Sequence, residues 1–218
     1  MIQLRLTNQK FFFFSFWGLL LMLAPITVFL NGFYTPLNTI QRLTGLWVFT
    51  LLFVQIILGS FMTQITEKLG GWIYRFHIFQ GFLIYFLIFL HMMTFVFISY
   101  FAGKPFDPFY VFVDVCVLCS NKFEYYFNFG RVAFWFITLA VFAGFFRTFH
   151  PFLRVHWRKF HVLNYFAFIL VGAHSLFVGS DIGTFPFSII HGPSLLVATG
   201  ILVVKAKGAI SFLKKLLN

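Results

Sequence analysis

The sequence predicts an all-α integral membrane protein, a bundle of six transmembrane helices. Two compositional observations point there. Of 218 residues, 61% are hydrophobic and only 10% charged, where a soluble domain carries about a quarter charged. The apolar residues are also gathered into six runs near the roughly 20 residues that cross a bilayer as a helix. The runs cover about 11–31, 45–65, 77–101, 131–149, 160–179 and 189–206.

Each run is justified by what it contains and what ends it. The first, FFFFSFWGLLLMLAPITVFL, follows Arg5 and Lys10 as a secretory leader would, but it is too long for one and no small-residue cleavage site follows. The second and fourth are Leu-, Ile-, Val- and Phe-rich with few polar interruptions. The third begins on histidine and carries a second one within it, HIFQGFLIYFLIFLH, and the fifth holds a similar pair, HVLNYFAFILVGAH. The sixth ends in the lysines of VVKAKG. A polar, charged or Pro/Gly-containing segment separates each run from the next. Phenylalanine accounts for 38 residues and is read as lipid-facing bulk. Residues 1–218 are expected to form a single transmembrane domain without a soluble domain, linker or internal repeat.

The net charge of +11 is explained by topology. Six spans place Arg5, Lys10, Lys68, Arg75, Arg147, Arg154, Arg158, Lys159, Lys205, Lys207, Lys214 and Lys215 on one side, which is 12 of the 16 Lys and Arg residues. The other side receives Arg42, Lys104, Lys122 and Arg131 with four of the five acidic residues, Asp107, Asp114, Glu124 and Asp181. The positive-inside rule then puts both termini in the cytoplasm of a plasma or inner membrane, and no nucleic-acid partner is expected. The cysteines, Cys116 and Cys119, form CVLC in the outer loop 102–130. A disulfide, a redox dithiol and an incidental pair are all compatible with that spacing. Ser120, where c-type haem attachment needs histidine, argues against covalent haem.

Histidine in hydrocarbon is costly unless something binds it. The third and fifth spans run in the same direction, so His77 shares one leaflet with His161, and His91 shares the other with His174. Fourteen residues along a helix advance about 21 Å and end roughly 40° short of four turns, leaving His77 and His91 on one face. Thirteen residues fall roughly 140° short, so the fifth span needs a local distortion, for which Gly172 is a candidate. Two imidazoles at one depth supply both axial ligands of a haem iron. The expectation is therefore two stacked b-type haems between the third and fifth helices, bound by His77 with His161 and by His91 with His174.

Arg75, Arg158 and Lys159 lie near the inner histidines and suit haem propionates, though they also suit topological anchoring. Gly81 and Gly172 fit either porphyrin approach or helix packing. The alternatives for the histidines are interhelical hydrogen bonding and a proton path. A haem-free transporter is disfavoured because no acidic residue lies within a span and paired helix interruptions are missing. A purely structural assembly subunit predicts that function survives loss of His91 or His174. His150, His156 and His191 are read as loop residues without a role.

From about residue 43 to 205 the chain resembles the ferric reductase-like transmembrane domain, the haem-bearing unit of ferric reductases and NADPH oxidases. The resemblance is carried by LTGLWVFTLLFVQIILGS, YRFHIFQGFLIYFLIFLH, FNFGRVAFWFITLAVFAGFFR and WRKFHVLNYFAFILVGAHSLFVGSD. It implies six helices, two b-type haems on the same four histidines, and an oxidoreductase component that passes electrons from a cytoplasmic donor to an outer acceptor such as ferric iron. No flavin- or nicotinamide-binding domain follows in this sequence, so FAD or NAD(P)H is expected only through a separate flavoprotein, or a quinol serves as donor. Phe95 stands where oxygen-reducing NADPH oxidases carry a further histidine, which disfavours superoxide production. Arg42 is expected above the outer haem or as an interfacial anchor. The chain is also similar to the short MsrQ-like haem-binding subunits that feed a periplasmic reductase. No residue is assigned a catalytic role.

Overall fold

A computed structural model describes residues 2–119 and 121–217, with side chains described over 8–119 and 121–207. Of the charges and motifs above, the side chains of Arg5, Lys214 and Lys215, and Ser120 altogether, lie outside that description. All regular structure among the described residues is helical: α1 Ile2–Asn31, α2 Pro36–Ser60, α3 Met62–Leu69, α4 Trp72–Phe101, α5 Tyr110–Val113, α6 Lys122–Phe146, α7 Pro151–His161, α8 Leu163–Val178 and α9 Phe187–Leu217. Six stretches are long and apolar enough to cross a bilayer, with α7 and α8 together forming the fifth. Large apolar side chains cover the outside of the bundle, among them Phe12, Leu19, Phe86, Phe101 and Leu196, as a lipid-facing surface requires.

The helices begin earlier than the apolar runs, because capping and not hydropathy fixes their starts. Thr35 Oγ1 accepts the Asn38 N–H at 3.3 Å, with Pro36 in the first turn, and this starts α2 nine residues ahead of its apolar run. Asn121 Oδ1 likewise accepts the Phe123 N–H at 2.9 Å ahead of α6. Gly103, at φ +84°, ends α4 in the left-handed region that a residue with a Cβ enters at a cost. His156 lies in α7 and His191 in α9, so neither is the loop residue the sequence suggested.

Two antiparallel pairs, α2 with α4 and α6 with α8, form the centre of the bundle. Their core comprises Phe49, Leu52, Ile56, Ile84, Ile88, Phe134, Ile137, Ala167 and Phe168. Helix α1 lies against α2, and α9 against α8. Pro25 removes the N–H that would bond the Leu21 carbonyl one turn back; Trp47 of α2 donates its Nε1–H to that carbonyl at 2.8 Å. One side chain thus offsets the proline and fixes α1 on α2.

The ends of the bundle differ. Lys68, Arg75, Arg147, Arg154, Arg158 and Lys159 gather at the basic end, with the short α3 and α7. At the opposite end, Arg42 and Asp181 form a buried ion pair in which Arg42 Nε donates to Asp181 Oδ2 at 2.8 Å and Nη2 donates to Oδ1. Asn31 Nδ2 also donates to Asp181 at 2.9 Å, so α1, α2 and the α8–α9 loop are tied together. Burial pushes the Asp181 carboxyl pKa up, but hydrogen bonds from Arg42, Asn31 and Ser180 outweigh it and hold it below its ordinary value.

Candidate functional site: two histidine pairs in the bundle core

Three of the four intramembrane histidines meet glycines, and those glycines are spaced nearly as the histidines are. Gly45 and Gly59 of α2 are 14 residues apart and oppose His91 and His77 of antiparallel α4. Gly130 and Gly144 of α6 have the same spacing, and Gly130 opposes His174 of α8. A Cβ at Gly45 would stand 3.0 Å from His91 Cε1, one at Gly59 3.4 Å from His77 Cε1, and one at Gly130 3.2 Å from His174 Cε1. At Gly45 and Gly130 a Cβ would crowd the facing ring, whereas 3.4 Å at Gly59 is ordinary contact. The glycine spacing recurs in α2 and α6, but the contact does not recur throughout: nothing lies within 4 Å of a Cβ at Gly144, so the His161 ring is not matched to it.

The distortion required of the fifth span is present, but not at Gly172. The helix breaks at Val162, directly after His161, where the Tyr165 N–H bonds the Val162 carbonyl at 3.1 Å. That three-residue step, in place of the α-helical four, changes the rotation between His161 and His174. Gly172 is buried against Leu195 of α9 and serves helix packing. Gly81 opposes Gln55 of α2.

His77 and His161 have ring centres 6.1 Å apart and planes inclined by 58°. A metal ion held at roughly 2 Å by one nitrogen of each ring, with each ring centre about 1 Å beyond, separates ring centres by about 6 Å. Nδ1 of both rings is buried without a hydrogen-bond partner, which is costly for an imidazole that nothing binds. At the far end, His91 Nδ1 lies 2.9 Å from the Gln41 carbonyl and His174 Nδ1 lies 2.9 Å from the Tyr126 carbonyl. A carbonyl only accepts, so Nδ1 carries the proton in each ring and Nε2 keeps its lone pair, the tautomer of a metal ligand. Among the described residues no three His, Cys, Asp or Glu side chains converge. At the basic end the donor set is thus two imidazoles, which fits bis-histidine haem and not a zinc centre with three or four protein ligands.

A cavity of about 430 Å³ surrounds the basic-end pair, within the range of cofactor pockets. Leu52, Ile56, Ile84, Ile137 and Ala140 give it apolar walls, and Arg147, Arg158, Lys205, Asn164 and Tyr165 supply polar groups. Of the three cations singled out from sequence, Arg158 lines this cavity, while Arg75 and Lys159 are exposed and do not. Sequence reading missed Arg147 and Lys205. Arg147 donates to the Tyr74 hydroxyl and lies over the Trp157 ring at 4.5 Å, placements that depend on how helix ends meet.

A buried amide chain reaches the same histidine. Trp17 donates to Gln80 Oε1 at 2.9 Å, Gln80 Nε2 donates to Gln55 Oε1 at 3.1 Å, and Gln55 Nε2 donates to the His77 carbonyl at 2.8 Å. At the opposite end, Arg131 is buried beside Gly130; it donates to Asn128 Oδ1 at 3.1 Å and to the Tyr110 carbonyl at 3.2 Å. Phe95 packs between Tyr110 and Phe127. His191 is buried, stacked on Phe49 with Nε2 2.8 Å from Ser175 Oγ. Compared with protein-family models, with curated proteins and with solved structures, the chain has no significant match in any of the three.

Proposed function

We propose that the protein is a membrane-embedded di-haem cytochrome b that carries electrons across the bilayer. The observation that carries this reading is the His77–His161 pair, with ring centres 6.1 Å apart at the basic end, together with His91 and His174, each with Nδ1 on a backbone carbonyl. His77 with His161, and His91 with His174, would hold the two haems; bound haem would supply a reversible one-electron couple. The Gln41 and Tyr126 carbonyls keep His91 and His174 in the ligating tautomer. Arg147, Arg158 and Lys205, which line the basic-end cavity, would neutralise the haem's carboxylates, and Leu52, Ile56, Ile84 and Ile137 would exclude water from that site. The aromatic rings of Phe49, Phe53 and Phe168 pack between the two levels.

By the positive-inside rule the basic end faces the cytoplasm. There a separate flavoprotein or a quinol would deliver electrons to the His77–His161 level. The acceptor, ferric iron or a partner reductase, would meet the His91–His174 level on the other side. Purified chain, supplied with haem during expression, should give a b-type bis-histidine spectrum and a pyridine-haemochrome stoichiometry of about two per chain. His91→Ala and His77→Ala should each remove about one. Folded protein that binds no haem would refute the proposal.

A further inference from the structure

Cys116 and Cys119 are joined in a disulfide across a sequence separation of 3. Stabilisation by cross-linking grows with the loop closed, so a bridge this short contributes least to holding a fold together. C-x-x-C is also the spacing of thiol–disulfide exchange. The bridge is presented outward: both cysteines are half-exposed, and the intervening Val117 and Leu118 are 82% and 92% exposed. Beneath it, the Tyr125 hydroxyl donates to the Val117 carbonyl at 2.8 Å, and Asn128 Nδ2 donates to the Cys116 carbonyl at 2.6 Å. That same amide nitrogen is 3.6 Å from each sulfur. Its orientation is fixed because Asn128 Oδ1 accepts from Arg131.

We infer that Cys116–Cys119 is a thiol–disulfide exchange site for thiol substrates at the far end of the bundle, with Asn128 as the donor to the departing sulfur. A substrate thiolate attacks one sulfur of the bridge. The S–S pair leaves on the other sulfur as a thiolate, which the Asn128 N–H stabilises. A second substrate thiol then attacks the mixed disulfide and releases the first cysteine. Two substrate thiols become one disulfide, the cysteine pair gains two electrons, and the two protons lost by the attacking thiols are taken up by the departing thiolates. The chemistry runs in either direction and needs no metal.

The full chain in lipid nanodiscs, exposed to excess reduced glutathione and quenched with an alkylating reagent, reports the state of both cysteines by peptide mass. The bridge should open within minutes. Asn128→Asp keeps the acceptor for Arg131 but replaces the donor with an anion, and should slow opening by roughly tenfold while helicity stays at the wild-type level. A wild-type bridge that stays closed under excess glutathione would overturn the inference. Equal rates in wild type and Asn128→Asp would overturn the role of Asn128.

Discussion

Gly45→Ala separates glycine as a packing requirement from glycine as a helix weakness. In an unhindered helix the change stabilises by about 0.5–1 kcal/mol, because alanine restricts the unfolded chain more. At Gly45 the new Cβ would stand 3.0 Å from His91 Cε1 and 3.2 Å from His91 Nδ1, where ordinary contact begins at 3.4 Å. The ring must retreat by roughly 0.5 Å, and it is held by the 2.9 Å bond from Nδ1 to the Gln41 carbonyl. Overpacking of this kind costs about 1–3 kcal/mol, so the net effect is a loss of about 1 kcal/mol, or roughly 3 °C in Tm. Gly18→Ala is the matched control, since nothing lies within 4 Å of its Cβ position, and it should be neutral or stabilising. Thermal unfolding of both variants in one detergent, followed by far-UV circular dichroism, measures the difference. A Gly45→Ala protein as stable as Gly18→Ala would refute the close glycine–histidine packing on which the site is built.

Asp181→Asn leaves the buried Arg42 guanidinium without its counter-charge and should destabilise by about 3–5 kcal/mol, whereas Arg42→Met with Asp181→Leu should recover much of that in the same melts. The folded pKa of Asp181 lies below its unfolded value. Its stabilising contribution is therefore complete above about pH 4 and lost as pH falls further. Tm measured from pH 6 to 3 should drop in wild type and flatten in Asp181→Asn; parallel curves would remove Asp181 as the cause. Haem retention should weaken about tenfold in Arg158→Ala and stay unchanged in Arg75→Ala, because Arg158 lines the basic-end cavity and Arg75 does not. His191→Leu should retain both haems by pyridine haemochrome, since that ring's nitrogen is engaged by Ser175 and its face by Phe49.

The sequence by itself determined the membrane class, the six spans and the four histidines. Lipid offers no hydrogen bonds, so a crossing segment must satisfy its own backbone and becomes a long apolar run visible in one dimension. A histidine within such a run stands out for the same reason. Helix spacing also showed that His161 and His174 require a distortion, though not that Val162 supplies it. Tertiary structure alone decided what lies across from each ring. The Gly45 and Gly130 cradles, the carbonyls of Gln41 and Tyr126, the capture of the Leu21 carbonyl by Trp47, and the Arg42–Asp181 pair join residues far apart in the chain. Hydropathy records how deeply a residue prefers to be buried and carries no information on which helix face it meets. That choice follows from packing side chains of particular shapes against one another.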